Sequence, residues 1–110
     1  MFKETYTQAS IQVMVENPVD RTALISRVCE SFVGKLLNVF MEFGEDDVIV
    51  ITELHDDVTA AAFSAQITVA GPASRFSTTQ LLSMGDWLEA CKKAKTTSTG
   101  YAAPSWSSSR

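Results

Sequence analysis

The sequence predicts an α+β fold in which helices cover a four-stranded antiparallel sheet. Strand-like and helix-like segments alternate in the order βαββαβα. Two strand-like runs flank the acidic turn at residues 44–47, which is typical of a β-hairpin. The second run, residues 48–51, is apolar at every position and therefore needs cover on both faces. In a chain of 110 residues a second copy is the most economical outer cover, so we expect a sheet-to-sheet homodimer.

A short first strand is predicted over residues 1–7. In an extended backbone Phe2, Glu4 and Tyr6 would share one side of this strand. The apolar residues from 11 to 15 predict a helical turn after it.

The first long helix is predicted over residues 18–33. Asn17 provides an N-cap side chain, and Pro18 is favoured at the first helical position. Gly34 follows as a C-cap. Apolar side chains recur at helical spacing at Leu24, Ile25, Val28 and Phe32.

The hairpin has two predicted faces, which follow from a four-residue loop at residues 44–47. Such a loop pairs Phe43 with Val48 and Met41 with Val50. The face towards the helices would then carry Leu37, Val39, Met41, Phe43, Val48, Val50, Thr52 and Leu54. The outer face is the candidate dimer interface, with Leu36, Asn38, Phe40, Ile49, Ile51 and Glu53.

The second half of the chain contains two further helices and one strand. An alanine-rich helix is predicted from Asp56 or Asp57 to Gly71, because a carboxylate caps exposed amides. The last strand is predicted over residues 75–82, and Ser83 is the expected cap of a third helix that ends at Lys95.

The domain organisation is predicted as one domain over residues 1–95 followed by a tail. The tail, residues 96–110, is rich in Ser and Thr, so it cannot form a core element alone. Tyr101 and Trp106 are its only aromatic anchors, and we expect them to dock on a neighbouring subunit.

Charge and composition exclude several classes of function. A net charge of -4 and a pI near 4.8 oppose binding to nucleic acid. No apolar run approaches the roughly 20 residues of a membrane helix, and the start of the chain does not resemble a secretion signal. We therefore predict a cytoplasmic protein. Cys29 and Cys91 stand apart from each other and from histidine, so neither a metal nor another cofactor is predicted.

The stretch GKLLNVFMEFGEDDVIVITELHDDVTAAAFSAQITVAG, followed by STTQLLS and a short KKA helix, resembles the GYD domain family. The resemblance implies a ferredoxin-like fold, related to dimeric α+β-barrel proteins in which two sheets pack face to face. It implies no general activity. Of the motif that names the family, Gly44 and Asp47 are present, and Asp46 stands where the family commonly has tyrosine.

The candidate ligand pocket lies between the sheet and the helices. Its aromatic residues would serve equally well in core packing. His55 precedes two acids, which suggests acid/base chemistry or, more simply, a solvated residue beside a helix cap. Glu42 and Glu53 share a face but start about 13 Å apart, too far for a carboxylate pair. The candidate pocket residues are Tyr6, Phe40, Glu42, His55, Phe63 and Phe76.

Two functional hypotheses follow, and no catalytic residue is assigned. The chain lacks the order of residues typical of a nucleophilic triad and has no phosphate-binding glycine loop. The leading hypothesis is an oligomeric module that binds a small molecule or acts as an accessory subunit, alone or in a larger protein complex. The alternative is a cofactor-independent isomerase, decarboxylase or oxygenase acting on a small apolar substrate.

Overall fold

The computed structural model describes residues 1–104 of the chain. Residues Met1–Gln80 form one compact unit, and the chain from Leu81 onwards belongs to a second. The elements in order are β1 (Phe2–Tyr6), α1 (Gln8–Glu16), α2 (Thr22–Ser31), β2 (Lys35–Met41), β3 (Val48–Glu53), α3 (Asp57–Ala70), β4 (Ala73–Thr78) and α4 (Met84–Thr96).

The four strands form one antiparallel sheet in the order β2-β3-β1-β4. The predicted fold class is confirmed, because this strand order and the helical crossovers are those of a ferredoxin-like fold. The short strand β1 lies in the middle of the sheet and pairs with both β3 and β4. The predicted homodimer stays a prediction.

The core lies between the sheet and the helices. Phe2 on β1 packs against Phe63 on α3 and Phe76 on β4, with ring centroids 4.5 Å and 5.6 Å away. Val48 and Cys29 are fully buried beside them. This side of the sheet is therefore the face covered by helices, and Phe2 and Glu4 both point into it.

The predicted hairpin register is wrong by two residues on β2. Met41, and not Phe43, lies opposite Val48, and Val39 lies opposite Val50. The loop is longer than predicted because its carboxylates bind β1 and β4 instead of closing a tight turn. Phe43 consequently lies in the loop and is fully exposed.

A β-bulge at Leu37 changes which face the start of β2 presents. The pairing shifts between Leu36 and Asn38, so Leu36 lies opposite Thr52 and packs against the core. The outer position predicted for Leu36 is therefore wrong. Asn38 lies on the outer face, as predicted, but opposite Ile51 and not opposite Glu53.

The helix predicted over residues 18–33 is shorter and begins later, as α2 (Thr22–Ser31), whereas the helical turn predicted at residues 11–15 is a full helix, α1 (Gln8–Glu16). Asn17 ends α1, with its N–H bonded to the carbonyl of Val13, and it lies before Arg21, which occupies the N-cap position of α2. Pro18 lies in the connection, and α2 begins only at Thr22. The turn after α2 also differs, because the left-handed backbone falls on Val33, at φ 57°, instead of on the glycine.

Gly34 is required for a close approach. A Cβ atom at this position would lie 2.6 Å from both the carbonyl oxygen of Glu53 and the Cδ2 atom of Leu54. The junction between α2 and β2 therefore touches the end of β3 directly.

The predicted second helix is confirmed. Asp56 caps α3 by accepting from the N–H of Thr59 at 2.8 Å, and Gly71 ends it with φ 80°. The last strand is earlier than predicted, at Ala73–Thr78, because β1 offers partners only for this segment.

The second unit begins at Leu81 and contains α4. Ser83 caps this helix by accepting from the N–H of Asp86 at 3.0 Å, as predicted. None of the helices within residues 1–104 is long and apolar enough to cross a membrane. Tyr101 is exposed, and Trp106 lies outside the described residues.

Candidate functional site

A pocket of about 90 Å³ lies on the helix side of the sheet, within the first unit. Its walls are almost wholly apolar and come from all layers of the fold. Three side chains with polar ends, Glu4, Tyr6 and Arg21, also line it. The apolar lining is Phe2, Leu24, Ile25, Val28, Val48, Val50, Phe63, Ile67, Pro72 and Phe76.

Glu4 is the unusual member of this lining. The residue is only 9% exposed, and its Oε1 atom is buried with no hydrogen-bond partner among residues 1–104. Burial raises the pKa of this carboxyl, the negative charge of Asp47 raises it further, and the positive charge of Arg21 opposes both. A carboxyl in this position can hold a proton or accept a hydrogen bond from a molecule in the pocket.

Tyr6 and Arg21 form a polar pair at the edge of the pocket. Tyr6 and Arg21 line the same two cavities, and the Arg21 guanidinium acts on the Tyr6 hydroxyl. Burial raises the pKa of Tyr6, and the nearby Glu4 adds to this effect, whereas Arg21 acts in the opposite direction. Tyr6 therefore stays neutral at physiological pH, as a donor and acceptor beside a fixed positive charge.

A second groove adjoins the pocket. Its volume is about 340 Å³, and it is lined by residues of α1, α2, β2 and the connection between the helices. Four residues line both the pocket and the groove: Tyr6, Arg21, Ile25 and Val48. A molecule held at Glu4 could therefore extend past Arg21 into the groove.

The acidic loop between β2 and β3 is tied to β1 beside the pocket. The Asp47 carboxylate accepts from the N–H of Tyr6 at 2.7 Å, and the Asp47 N–H donates to the carbonyl of Glu4 at 3.0 Å. The loop thus fixes the backbone of β1, which carries Glu4 and Tyr6, two of the three polar side chains of the pocket.

Asp46 fastens the same loop on the outer side of the sheet. Its Oδ1 atom accepts from the Thr5 hydroxyl and from the Arg75 guanidinium, each at 3.1 Å. Burial is the largest influence on the pKa of Asp46 and would raise it. Hydrogen bonds from Arg75 and Thr5, with the charges of Arg75 and Lys3, outweigh burial, so this pKa lies below its ordinary value.

The structure places the six candidate pocket residues in different surroundings. Tyr6, Phe63 and Phe76 line the pocket together, and Phe40 borders the adjoining groove. His55 is exposed beside the cap of α3 and lines neither cavity.

Glu42 lies in the loop, with its Oε1 atom near Gly44, and lines neither cavity. Sequence reasoning missed Glu4 and Arg21. A signal for Glu4 was available, since it alternates with Phe2 and Tyr6 on one side of β1. Arg21 carries no comparable signal because it lies in an irregular connection.

The outer face of the sheet combines an apolar half and a polar half. Ile49 and Ile51 are half-buried, and Phe40, opposite Ile49, is 55% exposed. Asn38 and Glu53 flank these side chains, and Lys3, Thr5, Arg75 and Ser77 occupy the same face on β1 and β4. Five of the six candidate interface residues therefore share this face.

Metal-binding residues are not gathered in the described part of the chain. Across residues 1–104, no group of three or more His, Cys, Asp or Glu side chains is placed to hold a metal ion. The acidic loop instead directs its carboxylates at protein donors.

Comparison with known proteins identifies one family. A family model described as GYD domain matches residues 1–91 of the 110 residues. No curated protein and no solved structure matches the chain. The matched segment contains the whole sheet and both cavities, and the predicted resemblance is confirmed.

Proposed function

We propose that this chain, which belongs to the GYD domain family, is a cytoplasmic, homodimeric module that binds a small and mainly apolar molecule. The binding site is the pocket between the sheet and the helices, with Glu4 as its polar anchor.

The unpartnered Oε1 atom of Glu4 is the observation that carries the proposal. Buried polar groups in folded proteins nearly always have a hydrogen-bond partner, and an unpaired one costs about 1–3 kcal/mol. Glu4 lies in a pocket walled by aromatic and aliphatic side chains. Mostly apolar walls with a few convergent polar groups are typical of small-molecule sites.

The size of the two cavities limits the ligand. The inner pocket, at about 90 Å³, accepts no more than a small ring. The groove, at about 340 Å³, falls in the ordinary range for ligand sites and can hold a longer extension. A ligand with one apolar end in the pocket and the remainder in the groove fits both volumes.

Binding of toluene, followed by amide chemical shifts in NMR spectra, tests the proposal. Ile67→Phe fills the pocket from α3, and Val69→Phe makes a similar change on the exposed side of the same helix. We expect toluene to shift amides of β1 and α3 in the wild type and in Val69→Phe, and to shift none in Ile67→Phe. Equal binding by both variants would show that the pocket is not the site.

A cofactor-independent enzyme is the second candidate. It is supported by the buried carboxyl of Glu4 beside the neutral hydroxyl of Tyr6, a pair that can move a proton to and from a carbon acid. Such a pair suits an isomerase or a decarboxylase better than an oxygenase. Deuterium uptake by phenylacetone in D₂O, compared between the wild type and Glu4→Gln, tests this candidate. Equal deuterium uptake with the wild type and with Glu4→Gln would exclude the enzyme candidate.

The homodimer is supported by the outer face of the sheet. Phe40, Ile49 and Ile51 place three large apolar side chains together on a face that also carries polar residues. Light scattering of the wild type should give the mass of two chains, and Ile49→Lys should give one. Ser77→Lys is the matched control on the polar half of this face and should remain dimeric. A wild-type monomer at micromolar concentration would contradict the homodimer, and co-purification with a constant partner would favour a larger complex.

A further inference from the structure

We infer that the ligand of this pocket is a single-ring molecule with a hydroxyl group at its inner end and a carboxylate at its outer end. The inference rests on the proposed binding function and adds the chemical class of the ligand. Three features of the pocket carry it: its aromatic walls, the unpartnered carboxyl of Glu4 and the position of Arg21.

The walls favour a flat apolar ring. Phe2 lies between Phe63 and Phe76, and its ring is tilted by 31° and 41° against theirs. Such aromatic groups offer ring faces and edges against which a further ring can pack. The inner volume of about 90 Å³ leaves room for only one ring.

Glu4 favours a hydroxyl at the inner end of that ring. A hydroxyl can donate a hydrogen bond to an ionised carboxylate and can accept one from a protonated carboxyl. It therefore satisfies the buried Oε1 atom in either protonation state. An ammonium group would suit only the ionised state, which burial disfavours for Glu4.

Arg21 favours a carboxylate at the outer end. Within residues 1–104 no carboxylate lies within 4.0 Å of its guanidinium group, and Arg21 lines both the pocket and the groove. Guanidinium groups bind carboxylates with two parallel hydrogen bonds. Tyr6 also lines both cavities, so Arg21 and Tyr6 together mark the boundary between them.

The spacing along β1 is compatible with one ring. Glu4 and Tyr6 leave the same face of the strand two residues apart, about 6.6 Å along its axis. Glu4 lines only the pocket, whereas Arg21 lines both the pocket and the groove, so a ring in the pocket can meet Glu4 at its inner end and Arg21 at the end towards the groove.

Three probes test the recognition of each end of the ligand: 4-hydroxybenzoate has both groups, benzoate lacks the hydroxyl and phenol lacks the carboxylate. We expect calorimetry or NMR titration at pH 7 to show that 4-hydroxybenzoate binds about tenfold more tightly than benzoate or phenol. An affinity difference of this size corresponds to the contribution of one hydrogen bond to a charged group. Two variants identify the residue responsible for each part of this preference. Glu4→Leu should abolish the advantage over benzoate, and Arg21→Gln should abolish the advantage over phenol.

Two matched variants, both on α2, control for general effects of losing a carboxylate or a guanidinium group. Glu30→Leu and Arg27→Gln change the same residue types at exposed positions outside the pocket, and both should keep the wild-type preferences. Equal affinity of the wild type for all three probes would overturn the inference. If toluene still binds the pocket in that case, the binding function stands and only the ligand class fails. If toluene and all three probes fail to bind, both proposals fail.

Discussion

Two carboxyl groups in this protein are equally buried and have opposite surroundings. Glu4 is 9% exposed and Asp46 is 7% exposed. Glu4 points to the helix side of the sheet, among aromatic side chains, whereas Asp46 lies beside Thr5 and Arg75 on the outer side. The two pKa values move in opposite directions, up for Glu4 and down for Asp46.

The difference lies in the partners. Asp46 has two hydrogen bonds to Oδ1, one of them charge-assisted, and these fasten a loop. Glu4 has one buried oxygen without any partner in the described chain. Burial of a carboxyl therefore does not mark a functional site by itself. An unpaired buried carboxyl oxygen points to a ligand site only where it also faces a cavity, as Glu4 does. The Oε2 atom of Glu42 is likewise buried and unpaired, but Glu42 lines neither cavity.

The largest expected effect is the stabilisation of the protein by Glu4→Leu. This substitution removes an unpaired buried oxygen and adds apolar contact, so the free energy of unfolding should rise by about 1–3 kcal/mol at pH 7. Urea denaturation measures the change, with Glu30→Leu on exposed α2 as a control that should be nearly neutral. A destabilised Glu4→Leu variant would mean that this carboxyl has a structural partner after all.

The stabilisation of the protein by Glu4→Leu should depend on pH. The folded pKa of Glu4 lies above its ordinary value of 4.5, so the protonated carboxyl costs little at acid pH and the cost appears as pH rises through the folded pKa. The gain from Glu4→Leu should therefore be greatest near pH 8 and shrink towards pH 4.5. Unfolding curves at a series of pH values test this. A gain that does not change with pH would contradict it.

Asp46→Ala should destabilise the protein, and this effect should be smaller than the stabilisation by Glu4→Leu. It removes the acceptor for Thr5 and Arg75 and loosens the loop, although the half-exposed Arg75 can return to water. The melting temperature should fall, by less than it rises in Glu4→Leu. Because the folded pKa of Asp46 is lowered, this loss should be present above pH 4 and disappear as pH falls through the folded pKa. A loss that persists at lower pH would exclude the ion pair as its cause.

The smallest effect is expected for Thr5→Val, which removes one of the two donors to Asp46. The substitution keeps the shape of the side chain and should cost at most about 1 kcal/mol. Combined with Asp46→Ala, it should add nothing further, because the hydrogen bond is already lost. Additive losses in this double-mutant cycle would show that Thr5 acts independently of Asp46.

The sequence predicts the element order well where signals are local. The caps at Asp56 and Ser83 are as expected, since each depends on a side chain within three residues. The hairpin register was mispredicted because the loop is set by contacts with β1 and β4, which are distant in sequence. Asn17 and Pro18 were misleading for a related reason, because Asn17 serves the end of α1 instead of the start of α2.

The candidate site was only partly predictable. The aromatic lining at Phe63 and Phe76 follows from apolar periodicity, but core packing gives the same pattern. Glu4 becomes informative only when the pairing on both sides of β1 shows that the strand is central and its helix side is closed. Arg21 depends on the path of an irregular segment, which no periodicity encodes.

The neighbouring residues Val33 and Gly34 should have different evolutionary histories. Any side chain at Gly34 would collide with the backbone of Glu53, so natural variation at this position should be nearly absent. Val33 adopts a left-handed backbone that β-branched residues tolerate poorly, and its side chain is 90% exposed. Homologous chains should therefore favour glycine or asparagine at position 33, and we expect a glycine at position 34 in all of them.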